Sequence, residues 1–266
     1  MKIFDVHHHF GYHLSGLLPE ISEDFIKRIE VMDSCGISTA VIMPSPDYYM
    51  PNGISDTKKV NEKMADYKKH YPDKFPVALG TVEPRHGKVS VTEIDRMINE
   101  LKLDGVMWHH RFQGTPIDHD MTKLYLAKIS ELSVPVPVFI HNYSESTLEA
   151  PERLEILAKE FPNLTFVSLD SLSSPNQMRR MLQVAKRQGN IFLETGMMFP
   201  LQNVIERVAG EIGSHRLLFG SDTYTNPTAT DPEIIIEIII KAKISEVDKA
   251  NILEKNARNI FGLDPH

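Results

Sequence analysis

Short apolar runs rich in β-branched residues recur along the chain at nearly regular intervals. They occupy residues 2–7, 39–44, 76–82, 104–110, 136–141, 164–170, 190–195 and 216–222. Their starts lie roughly 26 to 37 residues apart, about the length that one strand and one helix take in an eightfold barrel of about 250 residues. The runs are almost continuously apolar, as expected of parallel strands covered on both faces. We therefore predict a (β/α)8 barrel.

An open, doubly wound sheet would give the same local pattern, so periodicity alone does not exclude it. None of the runs is followed by the glycine spacing of a nucleotide-binding loop, which lowers the support for that alternative. We find no linker, low-complexity tract or internal repeat that would mark a domain boundary. The prediction is one domain over residues 1–266.

Helical start signals lie between the runs. Ser22 precedes an apolar stripe that stops at Gly36, and Pro151 opens another helical segment. Asp231 and Pro232 read as a helix N-terminus, and Ser245 begins a capping box that includes Asp248.

The overall charge excludes several classes of partner. The formal net charge is -7 and the isoelectric point is about 5.9, so there is no basic face for nucleic acid or anionic lipid. No run is long enough to span a membrane. The single cysteine, Cys35, cannot form an internal disulfide, and no signal-peptide pattern is present, so we expect a cytoplasmic protein that acts on a small molecule.

Three consecutive histidines end the first run. Alternate residues of a strand share a face, so His7 and His9 point one way and His8 the other. A histidine-rich surface would explain them without a function. However, His141 ends the fifth run and Asp222 ends the eighth. Together these residues form a three-histidine, one-aspartate ligand set that suits zinc and tolerates iron or manganese.

These motifs resemble the amidohydrolase superfamily, and most closely its branch of aminocarboxymuconate-semialdehyde and related non-oxidative decarboxylases. The resemblance rests on DVHHHF, LDGVMWHHRFQG, PVFIHN, FPNLTFVSLD, RLLFGSD and KANILEKNARNIFGL, and it covers nearly the whole chain. It implies that one divalent metal, most simply zinc, is bound by His7, His9, His141 and Asp222. It also allows a homodimer.

The sequence departs from that pattern at two strand ends. Superfamily members with two metals often carry a carboxylated lysine or a glutamate at the fourth strand, whereas this chain has Met107, Trp108 and His109 there. A single metal is therefore expected. The sixth strand usually ends in a histidine, but here it ends in Asp170, which can accept a proton but cannot present an imidazole.

Several further side chains are candidates for the site. We expect His109, Asp170 and Asp222 to take part in proton transfer, and Arg111 to bind a substrate carboxylate. His110 is an alternative that would instead cap the turn before Arg111. Glu194 is a candidate for orienting a ligand histidine. Tyrosines that follow predicted strands could line a pocket, namely Tyr12, Tyr48, Tyr143 and Tyr224.

Asp170 decides the order of the functional hypotheses. The leading one is hydrolysis of a small amide, ester or lactone, with a carboxylate on the substrate, by a metal-activated water. The alternative is decarboxylation of a small unsaturated or aromatic acid, for which the missing strand-six histidine would have been the proton donor. A third is a barrel that binds a metal or small molecule without turnover.

Overall fold

Eight parallel strands form the centre of the molecule. The computed structural model describes residues 2–13, 15, 18–45, 50–143, 145–201, 203–225 and 231–264. Its strands are β1 (Phe4–Phe10), β2 (Thr39–Pro44), β3 (Val77–Gly80), β4 (Gly105–Trp108), β5 (Val138–His141), β6 (Phe166–Leu169), β7 (Ile191–Glu194) and β8 (Leu217–Leu218). They pair in sequential order. Backbone hydrogen bonds from Val6 N to Phe219 O (3.0 Å) and from His9 N to Thr223 O (2.8 Å) join the last strand to the first. The predicted (β/α)8 barrel is confirmed.

Helices surround the barrel. They are α1 (Ile21–Cys35), α2 (Ile54–His70), α3 (Val89–Asn99), α4 (His110–Gln113), α5 (Asp120–Ser130), α6 (Pro151–Glu160), α7 (Pro175–Arg187), α8 (Val204–Ile212), α9 (Pro232–Lys241), α10 (Glu246–Ala250) and α11 (Asn256–Phe261), the last two joined by a π-helical turn, Asn251–Lys255. The side chains of Asp231 and Ser245 cap α9 and α10 as predicted. Ser22 caps nothing, because α1 begins one residue earlier, after Glu20.

The core has two layers. The inner layer fills the barrel with alternate strand residues, among them Phe4, Val6, Val41, Met43, Val77, Leu79, Met107, Phe139, Val167, Leu169 and Leu218. The outer layer packs between the strands and the helices. Because one layer covers each face of the sheet, the strands lose the alternation of polar and apolar residues.

The last helix closes one end of the barrel. The ring of Phe261 stacks on Phe139, with centroids 5.9 Å apart, and on Phe4 at 6.5 Å. Phe4 and Phe139 lie at the beginnings of their strands, so α11 covers the amino-terminal end. A site therefore has to open at the carboxyl-terminal end, where such barrels carry their chemistry.

Within the part of the chain that the structure describes, no helix has both the length and the apolar character that crossing a membrane requires.

Candidate metal centre

An irregularity in β1 points two histidines into the barrel. The register of β1 against β2 shifts between Asp5 and His8, so Val6 lies in the inner core layer whereas Phe10 lies in the outer one. A bulge of this kind changes the face on which later side chains lie. His7 and His9 consequently turn inward above Val6. The backbone N–H of His7 donates to Asp5 Oδ1 (3.0 Å), which satisfies the polar group at the shift.

His8 lies on the opposite side of the barrel wall. Its Nε2 is 3.0 Å from Asp5 Oδ2, and its Nδ1 is 3.3 Å from Nη1 of Arg28 on α1. His8 is fully buried there, so it belongs to the packing between β1 and α1.

Four side chains converge at the carboxyl-terminal end of the barrel. His9 Nε2 lies 2.9 Å from His7 Nε2 and 3.3 Å from His141 Nε2. Asp222 Oδ1 lies 3.4 Å from His7 Nε2 and 3.6 Å from His9 Nε2. Atoms that share one metal ion at about 2.1 Å lie roughly 3.0 to 3.4 Å apart. The spacing therefore fits a single cation held by the four predicted ligands.

The outer nitrogens of two of these histidines fix their tautomers. His9 Nδ1 donates to Pro44 O (2.7 Å), and His141 Nδ1 donates to Trp108 O (3.1 Å). A carbonyl oxygen can only accept, so both Nε2 atoms present lone pairs to each other. Two buried lone pairs that face each other repel, and a cation between them removes the repulsion. This orientation by an outer hydrogen bond is common among metal-binding histidines.

Nearby carboxylates raise the pKa of His7. Burial disfavours its charged form, but Glu194 and Asp222 outweigh burial and raise the pKa of His7 to about 10. Glu194 Oε2 lies 3.6 Å from His7 Nδ1, where the sequence had suggested an orienting carboxylate. Burial, together with Glu194 and Asp5, raises the pKa of Asp222 to about 7 against the opposing effect of His7. The cluster thus has a deficit of positive charge that a divalent cation would supply.

Asp170 stands beside this cluster, directly after β6. Its backbone is left-handed (φ 58°) and its N–H donates to Glu194 Oε1 (2.7 Å). Its Oδ1 is buried and has no hydrogen-bond partner. Burial and the neighbouring Asp222 raise the pKa of Asp170 well above its usual range.

His109 brings an imidazole to the same place from β4. Its ring stacks on the His141 ring with centroids 4.0 Å apart and planes 7° apart. Its Nδ1 donates to Glu149 Oε1 at 2.5 Å. His110 points elsewhere, since its ring packs against Trp108 and burial lowers its pKa to about 3.

A small pocket opens above the cluster. Its volume is about 180 Å³, and it is lined by His13, His109, Arg111, Phe112, Tyr143, Glu145, Asp170, Met197, Asp222 and Tyr224. The Arg111 guanidinium lies over the rings of Phe112 (5.0 Å) and Tyr143 (4.9 Å). The Tyr224 ring lies 4.7 Å from that of His9.

One of the suggested tyrosines, Tyr12, is not among the described residues that line this pocket. The Tyr12 hydroxyl donates to Glu23 and accepts from Lys27, both on α1. Tyr48 lies outside the described residues. Sequence reasoning missed Glu149, because nothing in the sequence relates a glutamate on the loop after β5 to a histidine 40 residues earlier.

Comparisons with known proteins agree with this architecture. The family model described as "Amidohydrolase" (Amidohydro_2) matches residues 4–263. A search of the curated proteins finds no match.

Solved structures share the fold at low sequence identity. The 5-carboxyvanillate decarboxylase from Sphingomonas paucimobilis is 15% identical, with a TM-score of 0.75 and 99% of both chains covered. The enzyme of that name from Novosphingobium aromaticivorans, solved with bound manganese, is 17% identical, with a TM-score of 0.74 over 98% of this chain and 97% of that one. The 2,6-dihydroxybenzoate decarboxylase from Rhizobium is 16% identical, with a TM-score of 0.70 and full coverage of both chains. At such identities the likeness speaks for the fold, and the family match over nearly the whole chain shows that this protein belongs to the amidohydrolase family.

Proposed function

We propose that this protein is a metal-dependent decarboxylase that releases carbon dioxide from a small aromatic or unsaturated carboxylic acid without oxidation. The observation that carries the proposal is His109, which lines the same pocket as Asp222 and Asp170. The sequence placed hydrolysis first because β6 lacks a histidine to donate a proton. An imidazole from β4 at the pocket wall removes that objection.

The pocket suits a single substituted ring. A cavity of about 150 Å³ holds a benzene molecule in another protein, and this pocket has a volume of about 180 Å³. Phe112, Tyr143 and Tyr224 offer aromatic faces to such a ring. Arg111 offers a guanidinium to a carboxylate or phenolate.

The four-ligand cluster and its orienting hydrogen bonds fit one divalent cation. When bound there, the cation would act as a Lewis acid that holds a substrate oxygen and spreads its negative charge. The ligand set is compatible with zinc, while the manganese in the related structure favours manganese. We propose manganese as the ion, with zinc as the alternative.

The residues of the chain supply the remaining steps. Arg111 orients the acid, and the Nε2–H of protonated His109 gives its proton to the carbon that bears the carboxylate. The bond from that carbon to the carboxylate then breaks, and its electron pair returns to the ring or double bond as carbon dioxide leaves. A solvent proton restores His109. Positioned proton donors of this kind contribute about 10²- to 10⁴-fold to a rate.

Two of the related structures support the same reaction class, since they are named as decarboxylases of 5-carboxyvanillate and 2,6-dihydroxybenzoate. Hydrolysis of a small amide, ester or lactone is the second candidate. The observation in its favour is Asp170, which lines the pocket with a buried Oδ1 that has no hydrogen-bond partner and could accept a proton from an attacking water.

A substrate panel tests the proposal. Protein loaded with manganese or zinc is incubated with hydroxybenzoic acids, conjugated unsaturated acids, aryl esters and lactones, and both carbon dioxide release and acid production by hydrolysis are measured. We expect carbon dioxide from at least one acid, with the His109→Asn variant reduced at least 100-fold. Hydrolysis without carbon dioxide release would establish the second candidate. If one metal is bound and every compound stays unchanged, the protein is a binding barrel.

A further inference from the structure

Glu149 is a fully buried carboxylate at the end of the 3₁₀ turn Thr147–Glu149, on the loop after β5. Its Oε1 accepts two hydrogen bonds, one from His109 Nδ1–H (2.5 Å) and one from the backbone N–H of Arg111 (2.8 Å). Both of these residues line the pocket. One carboxylate oxygen of Glu149 therefore contacts both His109, the proposed proton donor, and the backbone of Arg111, the proposed carboxylate-binding residue.

The backbone of Glu149 is held in place by a network of hydrogen bonds that reaches two neighbouring elements. Asn142 Nδ2 donates to the carbonyl of Glu149 (2.8 Å). Asn142 is itself fixed by Ser168 Oγ, which donates to its Oδ1 (2.7 Å), and by Gln177 Nε2, which donates to its carbonyl (2.5 Å). The loop that carries Glu149 is thus tied to β6 and α7.

Packing alone does not account for a charge at this position. A buried carboxylate is costly unless a cation or several donors compensate it. Within the described residues no lysine or arginine side chain pairs with Glu149, its Oε2 has no hydrogen-bond partner, and its ion-pair partner is His109. A glutamine would satisfy both donors without the charge. A functional role therefore explains the negative charge of Glu149 better than packing does.

We propose that Glu149 is the positioning residue of the proton donor: it holds the hydrogen of His109 on Nδ1, turns Nε2 towards the substrate, and places a negative charge beside the ring. This inference rests on the proposed function. Through the N–H of Arg111 the same oxygen also fixes the distance between the proton donor and the carboxylate-binding group. The arrangement compensates for Asp170 at β6 by building a histidine–carboxylate pair from β4 and the β5 loop.

A different role has to be separated from this one. Histidines that bind metals are often oriented by a carboxylate, and ligand atoms of His109, His141 and Asp170 lie within 4.8 Å of one another. If His109 bound a second cation, Glu149 would orient a metal ligand. Metal stoichiometry distinguishes the two roles.

Glu149→Gln is the decisive variant, because the amide oxygen can still accept both hydrogen bonds while the charge is gone. For a decarboxylated substrate we expect kcat to fall at least 30-fold with KM changed less than threefold, and one equivalent of metal retained. The control is Glu152→Gln on α6, an exposed position at which we expect wild-type values. A kcat within twofold of wild type, or loss of a metal equivalent, would overturn the proposal.

A second measurement does not depend on turnover. In protein loaded with diamagnetic zinc and labelled with ¹⁵N-histidine, the signal absent from His109→Asn identifies this ring. We expect a hydrogen on Nδ1 with a strongly downfield proton resonance, which moves upfield in Glu149→Gln and disappears in Glu149→Leu. A hydrogen on Nε2 alone in the wild type contradicts the proposal. If no acid releases carbon dioxide, the proposed function fails. The resonance then still tests whether Glu149 holds the hydrogen of His109 on Nδ1.

Discussion

His8 and His9 are neighbours in the sequence whose side chains lie on opposite sides of the barrel wall. His9 faces His7 and His141, the proposed metal ligands, whereas His8 contacts Asp5 and Arg28. The same residue type thus serves two purposes, because adjacent residues of a strand point to opposite faces. This difference gives a test with a built-in control.

We expect His9→Ala to lose the metal, because it removes the ligand atom that lies within 3.6 Å of the other three. His8→Ala should keep one equivalent of metal but lower the free energy of unfolding by about 1 to 3 kcal/mol, since Asp5 and Arg28 lose a buried partner. Elemental analysis after dialysis and urea unfolding would check both. Equal metal loss in the two variants would refute the ligand assignment.

At the scale of elements, β1, β7 and β8 approach each other closely around His7. A Cβ placed on Gly196, just after β7, would lie 2.7 Å from Glu194 Oε2 and 2.7 Å from His7 Nδ1. Such distances leave no room for a side chain. The glycine is needed because the carboxylate and the imidazole meet at that point.

Gly196→Ala should therefore displace Glu194 from His7 and weaken metal binding by about 10- to 100-fold, the usual effect of losing an orienting partner. Gly189→Ala is the control, because nothing lies within 4 Å of its added Cβ. Titration with manganese against a chelator would give both affinities. An unchanged affinity for Gly196→Ala would mean that Glu194 does not orient His7.

Helix α1 contains a buried ion pair, and the arginine of that pair also bonds to the barrel. Arg28 donates to the carbonyl of His9 (2.8 Å) and pairs with Asp24 (2.7 Å). Burial opposes the charge on Asp24, but Arg28 outweighs it, and the pKa of Asp24 is lowered from its usual value. The folded pKa lies below the unfolded value of about 3.9. The stabilisation is therefore present above about pH 4 and is lost as the pH falls through the folded pKa.

We expect Asp24→Asn to lower the free energy of unfolding by about 3 to 5 kcal/mol at pH 7, because it leaves the charge of Arg28 buried without a partner. The difference from wild type should shrink as the pH falls below about 4 and through the folded pKa of Asp24. Urea unfolding at pH 7, 5 and 3 would show this. The exposed Asp73→Asn variant is the control. A difference that does not change with pH would contradict the assignment.

Across the whole molecule, the two ends of the barrel have separate tasks. The amino-terminal end is filled by Phe4, Phe139 and Phe261, and the carboxyl-terminal end carries the proposed metal ligands. Barrels of this kind generally place stability at the first end and chemistry at the second.

Phe261→Ala should therefore lower the free energy of unfolding by up to about 3 kcal/mol, since a large ring is removed from the core. The metal content of the folded protein should stay at one equivalent. Thermal unfolding combined with elemental analysis would check this. Loss of metal from folded Phe261→Ala would show that the two ends are coupled.

The sequence was sufficient to predict the barrel and to name the candidate metal ligands, because both follow from local patterns. Eight apolar runs give eight strands, and their ends give His141 and Asp222. The bulge in β1 could not be foreseen: strict alternation would put Val6 and His7 on opposite faces, and only a register shift lets Val6 fill the core below His7 and His9. The left-handed backbone of Asp170 and Asp222 and the Glu149 contact are tertiary features that leave no periodic signal.

The proposed ligand set also joins the first strand of the barrel to the segment after the last one. His7 and Asp222 are 215 positions apart, and Asp5 Oδ1 accepts a hydrogen bond from Ser221 N beside them (3.0 Å). Contacts of such long range form late, after most of the loop-closure entropy has been lost. During synthesis, the four proposed ligands cannot come together until β8 has left the ribosome and paired with β1. Binding of the proposed cation by all four residues therefore requires a closed barrel, and an incomplete chain offers a metal ion only part of the set.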